Sequence, residues 1–178
     1  MNKSILVLRS ILTLTFLSVL TVSCSDDNDD DICNDPIVGE LTEYEADFSG
    51  YWTLKSIVVD EEIDLTDDDI DNPSSDVYSQ YDECLQDTAY EFSSDRAYSF
   101  EQGKNADDCE VQNETNGTWK LGQDNILTIV SNCLTGNTVL DLNDDLTEFS
   151  FKSSLPYEDV NGNKLNLNTV STYEKTSN

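Results

Sequence analysis

Gly50-Tyr51-Trp52-Thr53-Leu54-Lys55-Ser56-Ile57-Val58-Val59 is rich in aromatic and β-branched residues and alternates with a period of two. Successive side chains of a strand point to opposite faces. Trp52, Leu54 and Val58 are therefore expected on one face, and Thr53, Lys55 and Ile57 on the other. The same period recurs downstream. Tyr90 and Phe92 share a face in 88–94, as do Tyr98 and Phe100 in 96–101. Ser93-Ser94-Asp95 between them is turn chemistry, so the two segments read as a hairpin. Residues 117–121, 125–131, 137–142, 147–153 and 164–175 repeat the pattern, punctuated by Gly, Asn and Asp clusters at 121–125, 143–145 and 160–163.

These segments give eight strands after Gly50. Short turns join them, except for one long connection from Glu61 to Cys84, in which 76–86 has the spacing of a short helix. The expected fold is all-β: an antiparallel up-and-down barrel of eight strands. The aromatics Tyr51, Trp52, Tyr90, Phe92, Tyr98, Phe100, Trp119, Phe149 and Phe151 all fall in these strands. In a small barrel such rings either fill the interior or line a ligand cavity.

The chain carries 37 acidic residues against 9 basic ones, for a net charge of −28. Such a surface repels phosphate backbones, which excludes nucleic acid as a partner. Histidine is absent, so the Ser-His-Asp and Cys-His relays that depend on a base titrating near neutrality are excluded. Carboxylate pairs abound, but no pair is singled out by the sequence, and the reading is non-enzymatic. Two acidic stretches are weak calcium candidates. One runs from Asp64 to Asn72 and contains Asp64, Asp67, Asp69 and Asp71; the other is Asp159-Val160-Asn161-Gly162-Asn163. Neither has the full twelve-residue loop with a terminal Glu; such a stretch is more often a solvated loop in the first case and a hairpin turn in the second. No other cofactor is expected.

Four of the five cysteines, Cys33, Cys84, Cys109 and Cys133, lack the close spacing of a zinc site and read as two disulfides in an oxidising compartment. Cys84 precedes the strand around Tyr90 and Cys109 follows the strand around Phe100. The two arms of a hairpin emerge at the same end, so these cysteines can meet. The expected bridges are Cys84–Cys109 and, by elimination, Cys33–Cys133.

The beginning of the chain reads as an address. Lys3 and Arg9 precede the uncharged apolar run 11–22, which is too short to span a bilayer and has the order of a secretory leader. Leu20-Thr21-Val22-Ser23-Cys24 resembles the lipobox of bacterial lipoproteins, with Thr21 where that motif usually has Leu. The resemblance implies cleavage before Cys24 and a palmitate-bearing lipid on its thiol; an ordinary secreted protein is the alternative. Ser25-Asp26-Asp27-Asn28-Asp29-Asp30-Asp31 is a block of like charge that reads as a solvated tether. Its position resembles the acidic export signal of surface lipoproteins of Bacteroidota, implying an outer-membrane protein that faces the cell exterior. The expected division is a leader over 1–23, the lipidated cysteine and tether over 24–47, and the barrel domain over 48–178.

Phe48-Ser49-Gly50-Tyr51-Trp52 resembles the glycine-x-tryptophan signature of lipocalins, whose tryptophan closes the barrel floor. Gly117-Thr118-Trp119 repeats it. The layout of anchor, tether, long first connection and cysteine-flanked hairpin is similar to lipocalin-like lipoproteins of Bacteroidota. The resemblance assigns the barrel floor to Gly50 and Trp52. Two lipocalin features are missing: the Thr-Asp-Tyr motif, and an arginine near the end of the last strand that packs over the tryptophan. Arg96, the only arginine after the leader, lies elsewhere. The expected protein is a lipid-anchored monomer that binds a small hydrophobic ligand or a partner. Its rivals are an accessory subunit of an outer-membrane complex with a filled core, and a calcium-dependent adhesin.

Overall fold

The computed structural model describes residues 33–176. A short helix, α1 (Glu43–Phe48), leads into the long strand β1 (Gly50–Ile63). The connection that follows holds β2 (Ser74–Asp76), a 3-10 turn at Tyr78–Gln80 and α2 (Glu83–Gln86). Next come β3 (Thr88–Phe92), β4 (Ala97–Gln102), β5 (Asn113–Leu121), β6 (Ile126–Ser131) and β7 (Leu134–Val139). The chain ends with β8 (Asp141–Leu142), β9 (Glu148–Glu158) and β10 (Lys164–Thr176).

Every strand pairing is antiparallel, and the order around the sheet is β7-β6-β5-β4-β3-β1-β10-β9-β8, with β2 attached to β1. The two ends of that order are consecutive in the chain, joined only by Leu140, so the sheet curls into a nearly closed barrel. The expected all-β antiparallel class is the one found. The count is ten strands rather than eight, for two local reasons. The long connection lays Asp76 and Ser74 against Val58 and Ile63 of β1, which makes β2. The segment expected as one strand over 137–142 changes neighbours at Leu140, pairing with β6 before it and with β9 after it. The helix expected over 76–86 is interrupted at Tyr81: Asp82 starts a new turn by accepting a hydrogen bond from the Leu85 N–H at 2.9 Å.

The facing of β1 also differs from simple alternation. Its register against β10 shifts between Leu54 and Ser56, leaving Lys55 as the extra residue of a β-bulge. A one-residue shift exchanges the faces of everything that follows. Trp52 and Leu54 are buried before the bulge and Val59 and Ile63 after it, while Val58, expected beside Trp52, is 42% exposed. Ile57, expected on the opposite face from Trp52, packs against the core.

Two apolar clusters result. The larger gathers Phe48, Trp52, Phe92, Trp119, Phe149 and Tyr173 inside the barrel, and the smaller packs Val77 of the long connection against Val59, Ile63, Tyr157 and Leu167. Cys84–Cys109 closes the open end of the β3–β4 hairpin with its Cα atoms 5.6 Å apart, and Cys33–Cys133 ties the amino-terminal segment to the β6–β7 turn. Both pairings are those expected, Cys84–Cys109 from the hairpin argument and Cys33–Cys133 by elimination.

Residues 33–47, assigned to the tether by composition, instead pack on the barrel. The Ile37 N–H donates to Thr118 Oγ1 at 2.8 Å, Asn34 N–H to the Cys133 carbonyl at 3.3 Å, and Glu45 is buried. The physical reason is that a disulfide and one buried ion pair outweigh local acidity. The leader, Cys24 and the acidic block 25–31 lie outside the described residues.

Candidate functional site

Each Gly-x-Trp element carries a cation over its indole. At the first, Lys175 near the end of β10 lies with Nζ 5.6 Å from the Trp52 ring centroid and donates to the Asp47 carbonyl at 2.6 Å. Its stem passes where a side chain at position 50 would be: a Cβ on Gly50 would stand 2.7 Å from Lys175 Cε. Gly50 also has φ of +147°, which favours glycine. Lys175 thus takes the place of the arginine that the lipocalin pattern has near the end of the last strand. A search for arginine misses it; the signal would be a cation of either kind two residues after Tyr173.

At the second element a Cβ on Gly117 would stand 2.2 Å from the Val130 carbonyl oxygen, so glycine lets β5 and β6 approach. Arg96 lies over Trp119 at 5.9 Å. Sequence set this arginine aside because it is absent from the last strand; the structure gives it the second tryptophan. Both indole N–H groups are satisfied inside the protein, Trp52 by the Phe48 carbonyl at 3.2 Å and Trp119 by that of Ser93 at 3.0 Å.

Arg96 and Glu45 form a buried ion pair in which the guanidinium reaches both carboxylate oxygens. Arg96 also donates to the carbonyls of Gly39 (3.2 Å), Glu40 (2.8 Å) and Trp119 (3.3 Å). Glu45 further accepts from Thr42 N–H at 2.8 Å, Thr42 Oγ1 at 2.9 Å and Leu121 N–H at 3.2 Å. Burial alone would raise the Glu45 pKa. The hydrogen bonds from Arg96, Thr42 and Leu121 outweigh it and bring the carboxyl down to about 2. This carboxylate is committed to holding the amino-terminal segment, since Thr42 and Glu45 also form the capping box of α1.

The opposite side of the wall is built differently. Where β7 and β9 fail to pair, a cavity of about 140 Å³ is lined by Tyr90, Leu127, Ile129, Thr138, Leu140, Phe149 and Phe151. Outside it, a groove of about 590 Å³ runs along Val139, Asp141, Ser150 and Lys152. Tyr90 meets Tyr173 edge to face at 4.8 Å. Burial pushes the phenol of Tyr90 well up and that of Tyr173 up to about 12, so both stay neutral at ordinary pH. Most of the expected aromatics therefore fill the barrel, and Tyr90, Phe149 and Phe151 also border the remaining space.

The two acidic loops meet each other, Val160 N–H donating to the Asp64 carbonyl at 3.1 Å. The Asp64 carboxylate accepts from Thr66 N–H, Thr66 Oγ1 and Asn72 N–H, and Asp159 accepts from Asn161 and Asn163 within the β9–β10 turn. Asp64, Asp67, Asp69 and Asp71 line one surface hollow together with Val160 and Asn161, but among the described residues no three carboxylates, cysteines or histidines are placed to hold a metal ion. Nor is any helix among them long and apolar enough to cross a membrane.

A family model described as a domain of unknown function, DUF5004, matches residues 26–173, which take in every strand up to Tyr173 of β10. The chain belongs to the DUF5004 family. No curated protein matches it. As a DUF5004 domain, it is a nearly closed antiparallel barrel that fits a lipocalin-like fold.

Proposed function

We propose that this DUF5004 protein is a non-enzymatic, lipid-anchored binding protein of the bacterial outer membrane that faces the cell exterior and holds a small hydrophobic ligand in its barrel. The observation that carries the ligand is the cavity beside Leu140, whose walls are mainly aromatic and aliphatic. Its volume of about 140 Å³ resembles that of apolar cavities that stay dry and admit a benzene-sized guest, so the ligand is a compact ring or short branched chain. The lipobox-like run ending at Cys24 and the acidic block after it support the anchor and its outward address, and two disulfides accord with an oxidising space.

Titration with small aromatic and branched aliphatic probes, followed by intrinsic fluorescence and native mass spectrometry, tests the cavity. Saturable 1:1 binding that is lost in Ile129→Phe, which fills the space, is expected. Equal binding by that variant overturns the assignment. For the anchor, Cys24→Ser is expected to abolish palmitate labelling; unchanged labelling sinks it. Replacing Asp26, Asp27, Asp29, Asp30 and Asp31 by Ala is expected to remove the domain from the reach of surface protease while lipidation persists.

A further inference from the structure

The β6–β7 hairpin differs in composition from the rest of the protein. Residues 125–140 contain no charged side chain, in a chain where charged residues make up 26%. β7 is also an edge strand, since among the described residues only β6 pairs with it. Edge strands are ordinarily protected by lysine, proline, a bulge or a covering element. β7, Leu134-Thr135-Gly136-Asn137-Thr138-Val139, has no lysine or proline and pairs with β6 in continuous register, and its Leu134 and Val139 are 73% and 68% exposed.

The turn decides which backbone groups lie on the free edge. Asn132 and Cys133 both have positive φ, 50° and 65°, the signature of a two-residue type I′ turn. Such a turn makes Ser131 and Leu134 a hydrogen-bonded pair, and pairs along an antiparallel ladder alternate. The hydrogen-bonded partners are then 131/134, 129/136 and 127/138, in phase with the Leu140 N–H donation to the Asn125 carbonyl at 2.9 Å. Thr135, Asn137 and Val139 consequently turn their N–H and C=O groups outward, toward β9.

Across the gap the β8–β9 register pairs Asp141 with Ser150. Extended one strand further, it would set Val139 opposite Lys152, Asn137 opposite Ser154 and Thr135 opposite Pro156, but the ladder stops. Pro156 has no N–H to offer, and Lys152 protects the β9 side, so β9 carries the guards that β7 lacks. The groove between them lies over the apolar cavity.

We propose that β7 is a docking edge for an extended peptide segment of another protein, which pairs with Thr135, Asn137 and Val139, turns alternate apolar side chains toward the groove and carries basic residues at its flanks. Charge selects this occupant. The net charge of −28 attracts a cationic segment, whereas a second copy of the chain, or its own acidic block at 25–31, meets like charge. Backbone pairing supplies affinity and alternate side chains supply selectivity, as in other strand additions. This docking edge lies outside the barrel and stands whether or not the cavity holds a small molecule.

The test is selection of the full mature chain against a random dodecapeptide library, with the enriched peptides remeasured on three variants. Thr135→Pro removes one outward N–H without touching a β6–β7 bond, Val139→Lys places a guard charge on the edge, and Ile129→Phe fills only the cavity. Enriched peptides with alternating apolar residues and net positive charge, weakened at least tenfold by Thr135→Pro and by Val139→Lys but not by Ile129→Phe, are the expected result. Val139→Lys keeps the test valid where Thr135→Pro does not fold. Equal binding to wild type and both edge variants, no enrichment, or enrichment without positive charge overturns the proposal. Concentration-dependent dimerisation of wild type that Thr135→Pro abolishes would make a second copy the occupant and likewise overturn it.

Discussion

The two sides of this barrel wall are held by different means. At the end expected to be the floor, Lys175 and Arg96 lie over the two tryptophans, Arg96 pairs with a buried carboxylate, and α1 pushes Phe48 among the rings at centroid distances of 4.9 to 5.9 Å. At the seam, β7 and β9 leave their facing edges unpaired, and only past Leu140 does the chain, as β8, pair with β9. A floor with every polar group paired has one arrangement and is costly to disturb, because removing any partner strands another in a dry interior. An edge whose backbone groups face solvent tolerates substitution and has free valence for recognition.

The contrast can be broken most sharply at the floor. Arg96→Ala leaves the Glu45 carboxylate buried without its partner, and a loss of about 4 kcal/mol in chemical denaturation is expected. A loss below about 1 kcal/mol would put the floor on a par with the seam.

Acid should act on the same place. Folding lowers the Glu45 pKa from its ordinary 4.5 to about 2, so its contribution is complete above pH 4.5 and drains away as the pH falls toward 2. About 3 kcal/mol should disappear across that window, and Glu45→Gln should lose that share of the slope, keeping what Asp87, Glu114 and Asp159, whose carboxyls are also lowered, contribute. Denaturant melts of the two proteins between pH 5 and pH 2 read the difference.

A smaller effect is expected at Lys175. Lys175→Met keeps much of the stem beside Gly50 but removes the charge over Trp52, and a cation–π contact of this kind is worth about 1 kcal/mol. Trp52 fluorescence should shift as its ring loses the ammonium. At the seam, Thr135→Pro should change stability by less than about 0.5 kcal/mol, because the position is exposed and its N–H faces outward. A thermal melt of that variant sharpens the comparison from the weak side.

Much of this could be read in the chain before folding. Hydrophobic alternation marked the strands of the barrel wall because side-chain period is a local property, and the hairpin at 93–95 brought Cys84 and Cys109 together for the same reason. The bulge at Lys55 was easy to overlook: the alternation of Trp52 to Leu54 breaks at the consecutive polar pair Lys55-Ser56, but the apolar run Ile57-Val58-Val59 offers both faces, and only the pairing with β10 fixes the shift. The Glu45–Arg96 pair joins residues 51 apart in sequence, and nothing in the composition of an acidic amino-terminal segment distinguishes the one carboxylate that is buried. Lys175 was hidden by residue type, since the resemblance asked for arginine. The open edge of β7 became visible only once Leu140 was seen to divide one expected strand into two.

Cys33–Cys133 has a mechanical consequence. A pull applied at the amino-terminal end reaches Cys33 and passes through the sulfur bridge straight to the β6–β7 turn, so tension bypasses the 100-residue loop between the two cysteines. Fully stretched, that loop would add about 340 Å of contour length, at about 3.4 Å per residue. With the bridge intact this length stays hidden, and β1, β3, β4 and both tryptophans are shielded from stretch. Pulling single molecules by their ends should therefore give an extension shorter by about that amount in oxidising buffer than after reduction, with the load falling first on β7 to β10.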